Sequence, residues 1–495
     1  MQFTSFDFLI FFPFVVLIFY IMPKRLRQLW LLLASYYFYM GWNAKYALLI
    51  FASTAVTYIG GIFIDKFSSD IAKKRMALTV CILINLGLLG FFKYFYFLYD
   101  TIGNIVSLFG ITIKETRLNI LLPVGISFYV FQAVGYIIDV YRGDIKAEKS
   151  FVRYALFVSF FPQLVAGPIE RSKNLLGQIE RISYQKSWDF DKVTRGLLLM
   201  LWGFFVKMVI ADRAAIFVEQ VFDMYYIFNG AALLIAAVLF TIQIYCDFSG
   251  YSYIAIGAAR VLGIELMDNF AAPFLSRSIS ELWRRWHISL SSWFRDYVYI
   301  PLGGSRGSKP RKYFNNLVTF GLSGLWHGAS WNYVVWGLMQ SVYIIIGDIT
   351  KPFKERIIQK YNLKIETTIY KGIQTACTFI LFMLSLIIFR LTNIKDGIYY
   401  IYRMVTQFDV WSFFDASIYN MGLDRKEMGV LVFAVLILFL VDIYYQKCKA
   451  FFDTLVKQQC LAIQYIIVAL ILVVVIVFGI YGEGYDATQF IYFQF

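Results

Sequence analysis

The chain has 495 residues, of which 60% are hydrophobic and only 16% charged, and its mean hydropathy is +0.64. Soluble globular domains carry about a quarter charged residues, so this composition argues against a soluble enzyme and indicates a multi-pass membrane protein. The formal net charge of +14 comes from short clusters of lysine and arginine between apolar segments. Such clusters are typical of cytoplasmic loops, and we predict no nucleic-acid partner.

Apolar segments follow one another along the whole chain without a linker, so we predict a single integral-membrane domain over 1–495. The segments that reach roughly the 20 residues that a bilayer requires are 5–23, 28–43, 46–64, 76–98, 118–140, 195–212, 229–248, 372–390, 428–446 and 461–481. Stretches interrupted by Gly, Pro or charges, which favour re-entrant or broken helices, are 150–170, 249–275, 288–302 and 313–350. The apolar runs do not alternate with polar residues as barrel strands do, so the predicted class is all-α.

The basic clusters predict how the chain is threaded through the membrane. The clusters that the positive-inside rule places in the cytoplasm are Lys24 to Arg27, Lys66 to Arg75, Lys351 to Lys371 and Lys447 to Lys457. Counting spans from these clusters places both termini on the extracytoplasmic side. The last helix and its tail, 461–495, then end outside the cytoplasm, and we expect the protein in a bacterial plasma membrane among its lipids.

The chain contains only two histidines, His287 and His327, and both lie in polar patches of this apolar sequence. Few other side chains titrate near neutral pH, so these two are the first candidates for an acid/base step. An ionisable residue within a membrane protein usually serves chemistry or a transport pathway. We therefore interpret both as catalytic, and note that a solvated histidine at 287 and a packing histidine at 327 are the alternatives.

Residues 281–312 form the most basic stretch, with seven basic residues against two acids. Trp283, Trp286 and Trp293 are typical of membrane interfaces. Trp286 and Trp293 lie seven residues apart with Ser289 and Ser292 between them, which predicts a helix near the cytoplasmic boundary. The glycine-rich loop 303–307 and the basic residues after it would suit an anion such as a phosphate. The residues that we predict to bind a donor are Arg284, Arg285, Arg295, Arg306 and Lys309. A positive-inside loop that merely contacts lipid is the alternative.

His327 follows an apolar run and is flanked by Gly324 and Gly328, which permit close approach of a substrate or a backbone. Trp326 and Trp331 could form the wall of a tunnel. A neutral imidazole in such a place could take the proton from a hydroxyl that attacks an acyl group.

Several strings resemble the membrane-bound O-acyltransferase (MBOAT) family, in the branch of the alginate O-acetylases and D-alanyl-teichoic-acid transferases. They include LPVGISFY (122–129), FPQLVAGPI (161–169), DFSGYS (247–252), WRRWHISLS (283–291), RDYVYIPLGG (295–304) and GLWHGASW (324–331). The likeness is densest over 120–340. Two positions depart from the branch: Tyr253 replaces a frequent acid, and Gln340 replaces a frequent histidine.

The resemblance implies a fold of about 10–13 transmembrane or re-entrant helices around a trans-bilayer tunnel. It also implies that an acyl thioester enters from the cytoplasm, and that the acyl group leaves toward an acceptor outside. The near-invariant histidine of the family falls on His327 and the second histidine of the branch on His287. An extracytoplasmic hydrolase-like acyltransferase is the partner that the resemblance implies.

The chain ends in FIYFQF (490–495), which resembles the aromatic tail of this branch, where the tyrosine is implicated as an acyl relay. Tyr492 could then receive the acyl group as an ester before a second protein passes it on. An aromatic anchor at the membrane interface is the alternative.

The expected function is O-acylation, most simply O-acetylation, of an extracytoplasmic cell-envelope polysaccharide. We expect no bound cofactor: acetyl-CoA, or an acyl-carrier-protein thioester, is the donor substrate. D-alanyl transfer to teichoic acid, acylation of a protein or lipid within the membrane, and a transporter or channel are the alternatives. Two histidines without neighbouring acids or thiols do not predict a metal site.

Overall fold

The computed structural model describes residues 1–110, 122–165, 167–184, 189–448 and 461–481, and every regular element within them is helical. The all-α prediction is confirmed. In chain order the α-helices are α1 (Phe6–Ile21), α2 (Arg27–Met40), α3 (Ala47–Lys66), α4 (Ile71–Leu89), α5 (Phe95–Ser107), α6 (Ile126–Arg142), α7 (Phe151–Ser159), α8 (Phe161–Leu164), α9 (Ser172–Ile182), α10 (Phe190–Phe204), α11 (Asp212–Asp223), α12 (Gly230–Val261), α13 (Ile279–Arg285), α14 (Ile288–Phe294), α15 (Lys309–His327), α16 (Trp331–Lys360), α17 (Thr368–Arg390), α18 (Ile394–Thr406), α19 (Arg425–Cys448) and α20 (Leu461–Phe478).

Seven helices in the described part of the chain are long and apolar enough to cross a membrane. They are Ala44–Lys66, Ile71–Ser107, Phe190–Asp223, Gly230–Val261, Trp331–Lys360, Thr368–Arg390 and Arg425–Gln446. Two of these contain π-helical segments, Gly90–Tyr94 and Phe205–Ala211, which join α4 to α5 and α10 to α11 into continuous rods. The protein is therefore a multi-pass membrane protein, as its composition predicts.

The described chain divides into two compact units, and the first comprises residues 1–197 and 255–267. Its core is aromatic, with the rings of Phe8 and Phe161 both packed against Phe38. Polar side chains link its helices, as in the hydrogen bond of 2.6 Å that Tyr154 donates to the Thr57 hydroxyl. Helices in lipid gain little from hydrophobic burial, so close packing and such hydrogen bonds hold them together.

The second unit comprises residues 198–254 and 268–495 and contains both histidines. Helices α15 and α16 form an antiparallel pair, and α17 packs against α16. The segment of α12 in this unit is almost completely buried, because its small and aromatic residues contact protein on every side. These helices position the candidate site.

The structure corrects two segment boundaries. The predicted span 229–248 continues as one helix to Val261, so the expected break at 249 is wrong. Gly250 lies within the helix and allows close packing there: a Cβ atom at this position would lie 2.9 Å from the carbonyl oxygen of Gly203. The stretch 313–350 is broken only at 328–330, between α15 and α16.

Candidate active site

His287 lies at a sharp bend between α13 and α14. Ser278 caps α13 by accepting a hydrogen bond from the Glu281 backbone, and that helix ends at Arg285. His287 then adopts a left-handed backbone conformation with φ of +44°, which is costly for a residue with a Cβ atom. A helix does form between Trp286 and Trp293, as α14, and the bend at His287 separates it from α13.

The three tryptophans of this stretch, predicted to have interfacial character, are buried in the unit. The rings of Trp286 and Phe270 meet edge to face at 5.3 Å, and Trp283 packs against Trp336 at 5.7 Å. The aromatic core therefore holds both sides of the bend, which offsets the unfavourable backbone conformation between them.

Asn269 and Ser289 form a polar network around His287. The Oδ1 atom of Asn269 lies 3.0 Å from His287 Nδ1 and accepts a hydrogen bond of 2.9 Å from the Ser289 hydroxyl. The Asn269 Nδ2 atom donates to the Ser252 hydroxyl at 3.1 Å. The Asn269 carbonyl also accepts from the Ile288 backbone N–H, which attaches the Asn269 loop to the start of α14.

The ring of His287 is completely buried between aromatic neighbours. Phe248 meets it edge to face at 4.5 Å, and Trp326 lies at 5.7 Å. His287 lies outside the seven membrane-spanning helices. Burial lowers its pKa well below the usual value for histidine, and the charge of a protonated His327 would lower it further. The imidazole is therefore neutral at physiological pH.

His327 is the last residue of α15, and two close glycine contacts set its position. A Cβ atom at Gly324 would lie 2.2 Å from the carbonyl oxygen of Tyr333, and one at Gly337 would lie 2.1 Å from that of Phe320. Only glycines at these positions allow α15 and α16 to approach so closely. The chain reverses at 328–330 and brings α16 back against His327.

Aromatic rings enclose His327, which is only 4% exposed. The rings of Trp326, Trp336 and Phe389 lie 5.0, 5.1 and 5.6 Å from the imidazole, each approximately edge to face. Trp326 also contacts His287. The structure therefore brings the two histidines of the chain into contact with one indole ring.

A basic cleft of about 1010 Å³ opens beside this pair in the same unit. Its lining includes Ile288, which follows His287 in the chain, and Trp283, which packs against the Trp336 ring beside His327. The cationic side chains in its lining are Arg277, Arg284, Arg295, Lys312, Lys351 and Lys354. Asp348, which pairs with Lys312 at 2.9 Å, is the acidic residue of the lining. The cleft suits an anionic ligand.

The five predicted donor-binding residues occupy different places. Arg284 and Arg295 line the cleft, and Arg295 also pairs with Asp296 at 2.7 Å. Arg285 does not line it and pairs with Glu281 at 2.6 Å. Arg306 and Lys309 are exposed and lie outside the lining.

The glycine-rich loop uses much of its own backbone for internal hydrogen bonds. The N–H groups of Gly303, Gly304 and Arg306 donate to the carbonyls of Ile300, Tyr299 and Gly303, respectively. Gly303 and Gly304 adopt positive φ angles, which make this tight turn possible. The three N–H groups therefore stabilise the turn and do not point together at an anion.

Comparison with known proteins identifies the family. A sequence profile of the membrane-bound O-acyltransferase family matches residues 145–392. The chain is 36% identical over 453 residues to a probable alginate O-acetylase of Azotobacter vinelandii, an alignment that covers 91% of this chain and 86% of the relative.

The chain belongs to the MBOAT family. It is also 33% identical over 402 residues to a peptidoglycan O-acetyltransferase of Helicobacter pylori, covering 76% of this chain and 73% of the relative. A teichoic acid D-alanyltransferase of Bacillus subtilis is 30% identical over 239 residues, which are 45% of this chain and 58% of the relative. As an MBOAT protein, the chain is an O-acyltransferase enzyme.

Both departures from the MBOAT branch have defined surroundings. Gln340 accepts a hydrogen bond of 3.4 Å from the Trp283 indole and donates one of 2.8 Å to the Ser385 hydroxyl. Tyr253 shares a hydrogen bond with Tyr245, whose hydroxyl donates to Asp442 of α19. A buried carboxyl thus lies close to the position where the branch often carries an acid.

Two polar groups of this MBOAT protein were missed from the sequence. Asn269 lies in the stretch 249–275, which was predicted to be a broken helix. It is uncharged, so the sequence did not single it out as a candidate site residue. Lys207, fully buried in the π-helical segment, lies 2.6 Å from both Asp212 and Asp247. A lysine inside an apolar run is the sequence feature that indicates such a cluster.

Among the described residues no group of three His, Cys, Asp or Glu side chains could hold a metal ion. Tyr492 lies outside the described residues. The last described segment is held in the second unit, where Ile480 N–H donates to the Met208 carbonyl at 3.0 Å and Arg213 donates to the Phe478 carbonyl at 2.6 Å.

Proposed function

We propose that this enzyme transfers an acetyl group from a cytoplasmic thioester to a hydroxyl of a cell-envelope polysaccharide outside the membrane. The observation that carries the proposal is the pair of buried imidazoles around Trp326 beside a basic cleft. Acyl transfer to a hydroxyl needs a base to take its proton and a place for an anionic donor, and the second unit offers candidates for both.

The reaction proceeds by attack of a hydroxyl, that of the Tyr492 relay in the first transfer, on the thioester carbonyl, and His327 takes the proton that this hydroxyl loses. The new C–O bond forms as the carbonyl becomes tetrahedral. The C–S bond then breaks, and the departing thiolate takes the proton from the His327 imidazolium. The products are an ester and a free thiol, and the histidine returns to its neutral form.

The basic cleft is our candidate for the donor site. Coenzyme A carries several phosphate charges, which Arg277, Arg284 and Lys354 would attract. The same charges would attract an acidic carrier protein, so the nature of the donor decides between acetyl transfer and D-alanyl transfer. Similarity favours acetylation, because the O-acetylase matches 91% of this chain and the D-alanyltransferase only 45%.

The functions of the relatives guide the choice of acceptor. Alginate and peptidoglycan both contain polysaccharide hydroxyls, so we infer a polysaccharide acceptor in the cell envelope. We further propose that the protein lies in the bacterial plasma membrane with both termini outside. An extracytoplasmic hydrolase-like acyltransferase would complete the transfer, with Tyr492 as the relay.

Vesicles that contain the purified protein and either acetyl-CoA or a D-alanyl carrier-protein thioester test the proposal. We expect thiol release with acetyl-CoA, and none with His327→Ala. Consumption of only the D-alanyl thioester would show that the reaction is D-alanyl transfer, as in the teichoic acid alternative, and not acetyl transfer. Consumption of neither thioester would overturn the proposal that the cleft binds one of these donors and would point to a different acyl donor.

The relay role of Tyr492 is tested separately by the intact mass of the protein after incubation with labelled acetyl-CoA. An acetyl adduct that is lost in Tyr492→Phe supports a tyrosyl ester. An adduct that Tyr492→Phe retains would make Tyr492 an anchor rather than a relay.

A further inference from the structure

Asn269 connects three separate parts of the second unit at His287. Its carbonyl oxygen accepts from the backbone of α14, its side-chain oxygen faces His287 and Ser289, and its side-chain nitrogen donates to Ser252 of α12. Asn269 is only 1% exposed and His287 is completely buried, so water does not compete for these contacts.

The contacts of the Asn269 amide fix its orientation. The backbone N–H of Ser289 points at the Oδ1 position at 3.3 Å, and a backbone N–H is always a donor. The atom that faces it must therefore be the amide oxygen. The opposite orientation would place the amide NH₂ against the Ser289 N–H, with two donors facing each other.

An amide oxygen at 3.0 Å from His287 Nδ1 requires a proton on that nitrogen. A neutral imidazole carries one N–H, so its other nitrogen, Nε2, holds the lone pair. We propose that Asn269 is a positioning residue that holds His287 in the Nδ1–H tautomer and so makes Nε2 the basic nitrogen of this ring. The proposal deepens, and rests on, the acyl-transfer function proposed above.

This tautomer assigns a role to His287. A neutral ring held in this way cannot donate from Nε2, so it does not stabilise the oxyanion of the tetrahedral intermediate. Its Nε2 accepts a hydrogen bond from a hydroxyl. The low pKa of the buried ring keeps the lone pair present at neutral pH. In the described part of the chain, the charge that lowers this pKa further comes from His327.

Because the chain contains only two histidines, the tautomer of His287 can be measured directly. Protein labelled with ¹⁵N-histidine contains only two imidazoles, and the variant His327→Gln assigns the signals of His287. Nitrogen chemical shifts distinguish a protonated from an unprotonated ring nitrogen. We expect His287 in the folded wild-type protein to be protonated at Nδ1 and unprotonated at Nε2.

The variant Asn269→Leu removes the acceptor at similar volume. We expect its folded form to lose the single tautomer and its kcat to fall by about 10²-fold, as for a misplaced catalytic group, with KM for the donor little changed. Asn315→Leu is the matched control, because Asn315 is also buried in this unit but donates to the Gly304 carbonyl. We expect it to leave the His287 signals unchanged.

A wild-type spectrum with the proton on Nε2 would overturn the proposal, and so would an Asn269→Leu variant with unchanged tautomer and kcat. The wild-type spectrum decides the tautomer even if Asn269→Leu fails to fold. It needs no substrate, so a failure of the acyl-transfer proposal would appear in the thioester assay and not here.

Discussion

The two histidines of this MBOAT protein are held in different ways. His287 is fixed by polar contacts, since the Asn269 amide defines both its ring plane and its tautomer. His327 is fixed by shape, since three aromatic rings enclose it and glycine contacts set the helix that carries it. Polar contacts specify which nitrogen of His287 carries a proton, and aromatic packing specifies where the ring of His327 lies. The difference suits a site in which one ring keeps a constant state and the other gains and loses a proton.

The variant His327→Ala tests whether His327 is the general base, and it has the largest expected effect. Loss of a general base lowers kcat by about 10²–10⁴-fold, and we expect acetyl transfer to fall within this range. Thermal unfolding of the variant in detergent is the control for stability. A folded variant with more than about a tenth of wild-type activity would contradict the assigned role.

The glycine contacts of His327 are tested by two alanine substitutions on the same helix, α16. Gly337→Ala places a Cβ atom 2.1 Å from the Phe320 carbonyl oxygen, so α15 and α16 must separate. We expect a destabilisation of about 1–3 kcal/mol and a loss of acetyl transfer. Gly347→Ala meets nothing within 4 Å and is the matched control for stability alone, because Gly347 lines the cleft. Equal unfolding temperatures for the two variants would show that the close approach is unimportant.

The cleft beside the pair is tested by removing single charges. Arg284→Ala removes a lining cation, and we expect the KM for acetyl-CoA to rise about five- to tenfold, as for a charge-assisted contact that is partly solvated. Lys309→Ala removes a charge outside the lining and should change KM by less than about twofold. A larger rise in KM for Lys309→Ala than for Arg284→Ala would place the donor site at the glycine-rich loop instead of the cleft.

The buried state of His287 predicts a pH effect on stability. Its pKa is lowered in the folded protein, so the unfolded chain binds a proton more readily below its ordinary pKa of about 6.5. Stability should therefore fall as the pH drops below about 6.5, by at most about 1.4 kcal/mol per pH unit. Thermal unfolding between pH 7.5 and 5 measures the slope, at roughly the pH range where histidine titrates. His287→Gln should flatten it, and an unchanged slope would contradict the buried neutral ring.

The sequence was sufficient for the helical class, for most membrane spans and for the choice of the two histidines. The length of an apolar segment and the number of titratable side chains can be counted in the sequence, and neither depends on how the chain folds. The bend at His287 was not predictable, because the backbone conformation there depends on tryptophans that pack against distant helices. The role of Asn269 was hidden for the same reason, since its partners Ser252 and His287 lie 17 and 18 residues away in sequence.

The most direct test of the central claim, that the two histidines form one catalytic unit, is a double-mutant cycle on single-turnover acetyl transfer. Rates are compared for wild type, His287→Ala, His327→Ala and the double variant, each with its unfolding temperature. Residues that act as a unit are strongly non-additive, so we expect the double variant to be about as slow as the slower single variant. A double variant whose loss is the product of the two single losses would show that the histidines act independently and would contradict the account.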